Sequence, residues 1–164
     1  MNSNELVTEF NRILDEFVSK MINQFPDQTN FVKYDNLYKI GKIVDKTLPI
    51  KIFMGGCIQF TDEIKQKNEN FFKNRSNFVT SCSKIGNFSS DIGLIEYWDK
   101  IVVGTKEAIW QYIQTLFALG SYYMKINNLV NDDIEKYYNK WAFKYCDDSL
   151  KDNRFSSEYL TKIN

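Results

Sequence analysis

The chain contains no histidine. That removes the side chain most used as a general acid or base near neutral pH, and the commonest transition-metal ligand. Ser-His and Cys-His nucleophile pairs are excluded with it. Only two prolines, Pro26 and Pro49, and seven glycines punctuate 164 residues. Most of the chain is therefore free to form long helices. The three cysteines, Cys57, Cys82 and Cys146, stand far apart with no CxxC pair. An odd, dispersed set fits reduced, mostly buried thiols in a cytosol. Neither sign of charge is in excess, with 21 basic and 21 acidic residues spread along the chain. A dedicated electrostatic nucleic-acid binder would show a basic stripe, and a peripheral membrane anchor a polybasic cluster. No apolar run reaches the ~20 residues of a membrane span. The longest, 108–126, is broken by Gln111, Gln114, Thr115, Ser121 and Lys125. The opening MNSNELVTEF carries charge where a secretory signal is apolar, so no export signal is expected.

What the chain does have is aromatic bulk, with 13 Phe, 10 Tyr and three Trp. Each buried ring removes roughly 150–250 Å² from water, which predicts a large core for one domain of this size. Basic residues are mostly lysine, and Asn, Ile, Phe and Tyr are abundant. Those residues have AT-rich codons, an inference about the genome and not about mechanism.

Hydrophobic spacing reads as helix throughout. Leu6, Val7, Phe10, Ile13, Leu14, Phe17, Val18, Met21, Ile22 and Phe25 keep a three-four period. Asn2 and Glu5 have capping-box spacing before this stripe, and Phe25-Pro26 closes it. A second helix is predicted over about 31–46, and Pro49 suits the first turn of a third. Gly55-Gly56 predicts a kink or a close helix crossing. The stretch 68–88 is irregular, dominated by Asn, Ser and Lys. The segment 94–124 reads as a short helix, a Gly104-Thr105 break, and a long aromatic-rich helix capped by Thr105. Its inward line is Ile109, Tyr112 or Ile113, Leu116, Phe117, Gly120 and Met124. Asn131 is expected to cap a further helix presenting Ile134, Tyr137, Tyr138, Trp141 and Tyr145. The expected fold is all-α: residues 1–164 as a single compact domain, a bundle of about six or seven helices around a hydrophobic central helix.

Chemistry is harder to find. Asp132, Asp133 and Glu135 cluster at a predicted helix start, where carboxylates complement the dipole. Asp27, Glu63 and Lys65 superficially match the acidic-x-Lys arrangement of metal-dependent nucleases, but in helical rather than strand context. Gly55-Gly56-Cys57 is too short for a phosphate-cradling loop. Cys57 has no histidine to activate it. No catalytic residue, metal ligand or cofactor is assigned. The aromatics offer another reading, since Tyr and Trp are enriched at interface hot spots and also stack on single-stranded bases. Trp110 and Tyr122 fall beside the inward line, where they either close a second core face or, with Tyr123, Tyr138 and Trp141, form the candidate partner-binding set.

At 108–120, AIWQYIQTLFALG, Ile109, Trp110, Tyr112, Ile113, Gln114 and Leu116 make an IW-x-Y-[IL]-Q-x-L signature. In this the chain resembles a recurring, largely uncharacterised group of helical proteins of nucleocytoplasmic large DNA viruses, mimivirus-like ones in particular. The 94–98 helix and the amphipathic start at 10–17 look similar too. The resemblance brings no active site. It implies expression in the host cytoplasm, in the viral factory or in the virion. Taken together, the residues and the resemblance favour a non-enzymatic viral protein. It would bind a protein partner, viral or host, or itself, with no membrane role. The alternatives are a metal-dependent, nuclease-like hydrolase and a single-stranded nucleic-acid binder.

Overall fold

The computed structural model describes residues 1–27, 29–73 and 98–133, with the side chains at 29, 30, 33, 34, 37, 72 and 73 not described. The described residues are mostly helical and include no strand.

Helix α1 (Ser3–Gln24) begins with the reciprocal cap its sequence announces. Asn2 Oδ1 accepts from the Glu5 amide at 2.9 Å, and Glu5 Oε2 accepts from the Asn2 amide at 2.8 Å. Both satisfy N–H groups that a helix start otherwise leaves open. The helix stops at Gln24, directly before Phe25-Pro26. Helix α2 (Thr29–Val44) and helix α3 (Leu48–Cys57) follow, joined by a tight turn. There Asp45 Oδ1 accepts from the Thr47 amide and hydroxyl at 2.9 and 2.7 Å. Asn11 Nδ2 donates to the Lys46 carbonyl at 3.0 Å, pinning the turn to α1. Pro49 sits in the first turn of α3, where its missing N–H forfeits no bond. Ile50–Phe53 is helical, and the winding tightens straight after Gly55-Gly56 into a 3-10 turn, Ile58–Phe60.

Short helices α4 (Thr61–Lys65) and α5 (Asn70–Lys73) come next. A 3-10 turn, Trp98–Lys100, then precedes the long central helix α6 (Val103–Ile126). Gly104 and Thr105 are therefore not a break. The helix starts two residues before Thr105, with Val102 in the cap position and no side-chain cap. Gly104 lies in open space, so nothing there forces a turn. At the other end, Asn128 adopts a left-handed φ of 54°. The Leu129 amide donates to the Met124 carbonyl at 2.9 Å and the Asn128 amide to Lys125 at 3.3 Å, which is a Schellman stop. Helix α4 ends the same way, through Lys67 at φ 54° and an Asn68-to-Glu63 bond of 2.8 Å. A helical turn starts at 131–133, with Val130 rather than Asn131 in the cap position. The Asp133 carboxylate accepts from the Val130 amide at 3.1 Å. The calls on 74–97 and 134–164, including much of the irregular 68–88 stretch and the helix after Asn131, lie outside the described residues.

Two clusters form the core on either side of the α3–α6 seam. One joins Leu6, Val7, Phe10 and Leu14 of α1 to Ile50, Leu116 and Tyr123. The other gathers Met54, Ile58, Phe60, Ile64, Phe71, Trp98, Trp110, Phe117 and Met124. Gly120 carries the seam. A Cβ there would overlap the Met54 thioether, so any larger residue requires that flexible side chain to move.

Candidate partner-binding groove

On the face of α6 away from α1, an open groove of about 650 Å³ runs between α6 and the α3–α4 segment. Met54, Ile58 and Ile64 supply one wall, Phe117 and Met124 the other, and Leu129 an end. The exposed edge consists of Lys65, Ala118, Ser121, Lys125 and Asn131. The local fold sets this arrangement. The Schellman stop at Asn128 reverses the chain and returns Leu129 beside Met124. Gln114 Nε2 donates to the Ile64 carbonyl at 3.0 Å, holding the end of α4 against α6.

The opposite face of α6 is closed by α1. Tyr112 stacks on Phe17 at 5.1 Å between ring centroids, and its hydroxyl donates to Glu16 at 2.8 Å. Lys20 lies over the same ring and pairs with Glu16 at 3.2 Å. Arg12 bridges Glu9 at 2.6 Å and Glu16 at 3.3 Å. The Tyr112 hydrogen bond and then Lys20 hold the Glu16 carboxyl below its ordinary value. The Arg12 fork does the same for Glu9.

Of the sequence-predicted binding set, Trp110 is 3% exposed and Tyr123 5%, so both rings are packed inside. Trp110 meets Trp98 edge-on at 6.1 Å and lies 6.0 Å from Phe71. Those rings come from the 3-10 turn and α5, which give α6 a second buried face. Tyr123 packs among Leu6, Val7 and Phe10, and burial pushes its phenol up against an opposing hydrogen bond from Thr47. Tyr122 is exposed and does not line the groove. Tyr138 and Trp141 lie outside the described residues. The three described members therefore do not form one surface patch.

Each signature residue has a structural task. Ile109, Trp110, Ile113 and Leu116 are buried, Tyr112 binds α1, and Gln114 holds α4. The pattern thus encodes the packing of α6.

The titratable candidates are dispersed. Asp27 is in the α1–α2 turn, whereas Glu63 and Lys65 are in α4. No group of three or more Cys, Asp or Glu side chains among the described residues is placed to hold a metal ion. Cys57 is fully buried, and burial pushes its thiol far up, away from the reactive thiolate. Sequence reading missed Asp35, the one buried charged residue among those described, which Lys39 pairs at 2.6 Å. The i, i+4 spacing of the two was the available signal. No described helix is long and apolar enough to cross a membrane. Comparison with protein-family models, curated proteins and solved structures finds no match to this chain.

Proposed function

We propose that this chain works by binding another protein, as the interaction surface of a six- or seven-helix bundle, and not by catalysis. In the viral setting its resemblance implies, that means a virion component, a factory organiser or a host-factor antagonist. One observation carries the reading: α6 keeps an apolar groove open beside α3 and α4. Grooves of a few hundred Å³ with apolar walls and few polar groups are the usual form of docking sites. An amphipathic helix laid in such a groove anchors through residues at i, i+3 or i+4, and i+7.

The test uses the tagged full chain to recover partners from infected cytoplasm after nuclease treatment. Wild type is set beside Ser121→Glu and Tyr122→Ala. Ser121 is exposed on the groove edge, so its substitution should change stability by less than about 0.5 kcal/mol. A near-stoichiometric partner lost with Ser121→Glu and retained with Tyr122→Ala is the expected result. A partner lost only with Tyr122→Ala would move the interface to the tyrosine side. A partner indifferent to both changes would remove the groove from the interaction.

A further inference from the structure

The charge around the groove is one-sided in a chain whose total charge is balanced. Two lysines and no carboxylate are among the described groove-lining residues, against 21 basic and 21 acidic residues overall. Several other described lysines are matched, though Lys46 is not. Lys39 pairs with Asp35, Lys42 with Asp15, Lys67 with Glu107 and Lys106 with Glu69. Among the described residues, Lys65 and Lys125 have no ion-pair partner. Each stands in the last turn of its helix, α4 and α6 respectively. The negative end of the helix dipole stabilises a cation there, so neither ammonium needs a carboxylate of its own.

We propose that the groove takes an amphipathic helix of another protein whose apolar stripe is flanked by carboxylates. The inference rests on the docking reading above and adds the chemistry of the partner. A helix is favoured over a strand because both walls are helical, with their backbone groups already bonded, and offer no sheet edge. Lys65 and Lys125 then meet Asp or Glu on the rim, while Met54, Ile58, Phe117 and Met124 cover the apolar stripe. Two lysines are too few for an anionic lipid surface, which takes clusters of four to eight. The groove also lacks an exposed aromatic platform for single-stranded bases, since Phe117 is only 7% exposed.

The experiment titrates the full chain with two labelled synthetic peptides carrying one leucine stripe, flanked by glutamate in one and by lysine in the other. The glutamate peptide should bind about tenfold tighter at low salt, with the margin shrinking as salt rises. The double variant Lys65→Gln/Lys125→Gln should bind both peptides alike. Lys65→Glu/Lys125→Glu should prefer the lysine peptide, with unchanged circular dichroism confirming that both variants fold. Equal affinity of wild type for the two peptides would overturn the charge assignment and leave the docking surface standing. A glutamate preference that survives both double variants would place the site elsewhere and overturn the inference. No saturable binding of either peptide would overturn both this inference and the docking reading. Occupation of the groove by a second copy or by this chain's own residues would produce that third result.

Discussion

The two long faces of α6 are finished in different ways. Toward α1, apolar side chains interlock and a polar belt seals the edge, from Arg12 and Glu9 through Glu16 to Tyr112 and Lys20. Toward α3 and α4, equally apolar walls end in an open channel edged by small residues and two lysines without carboxylates. Cation and anion have both been spent on the first face, and only cation is left on the second. The face toward α1 satisfies its own charges, whereas the groove face leaves two lysines unanswered among the described residues.

The strongest way to break that comparison is to hollow the sealed side. Phe10 is fully buried and sits edge-on to Phe53 at 5.5 Å. Phe10→Ala should cost about 3–5 kcal/mol, read from urea denaturation of the full chain. A loss as small as that of an exposed position would mean that the α1–α6 side is not the foundation. Next comes the seam. Gly120→Ala forces the flexible Met54 side chain aside and should cost about 1–3 kcal/mol. Combined with Met54→Ala, the two costs should fall short of additive, because they act on the same space. Asn2→Ala removes the side-chain half of the cap on α1 and should lower stability by about 1 kcal/mol.

The smallest effect is the most discriminating. Glu9 and Glu16 are held below their ordinary values in the folded chain. Their contribution is therefore complete above the usual carboxylate range and lost as pH falls through the lowered values. Melting temperature should drop on acidification, and Tyr112→Phe should shallow the drop by removing the largest cause of the Glu16 shift. Groove-edge variants such as Ser121→Glu carry no part of that belt and should leave the Glu9 and Glu16 titrations unmoved. If Tyr112→Phe leaves the acid limb unchanged, the belt is ornament and the two faces differ less than their geometry indicates.

Much of this fold was legible in the residues, and the failures have identifiable causes. α1 was readable because cap, stripe and stop all agree on one answer, with Asn2, Glu5 and Pro26 as punctuation. The start of α6 was not. Thr105 looks like a cap, yet the helix begins at Val103 with no side-chain cap at all. Tyr122-Tyr123 shows a limit of another kind. Neighbours on a helix point about 100° apart, so one can face inward while the next faces solvent. Sequence alone does not say which. The choice falls to Tyr123 because Leu6, Val7 and Phe10 approach from that direction. For Trp110, spacing left a second core face and a partner patch both open, because its partners, Trp98 and Phe71, come from short elements that spacing does not reveal. The groove between α6 and α3–α4 was not legible, since no periodicity pattern shows a gap between helices.

The pairing of α1 with α6 also has a consequence for the order of synthesis. Glu16 and Tyr112, which join the two helices, are 96 residues apart in sequence. At about 5–20 residues per second, the ribosome takes roughly 5–20 s to deliver the second after the first. For that interval, among the described elements, the stripe of Leu6, Val7, Phe10 and Leu14 has chiefly α2 and α3 to lean on. The newborn chain spends its most exposed moments waiting for its own centre, and a chaperone that shields α1 during translation would be covering the place α6 later takes.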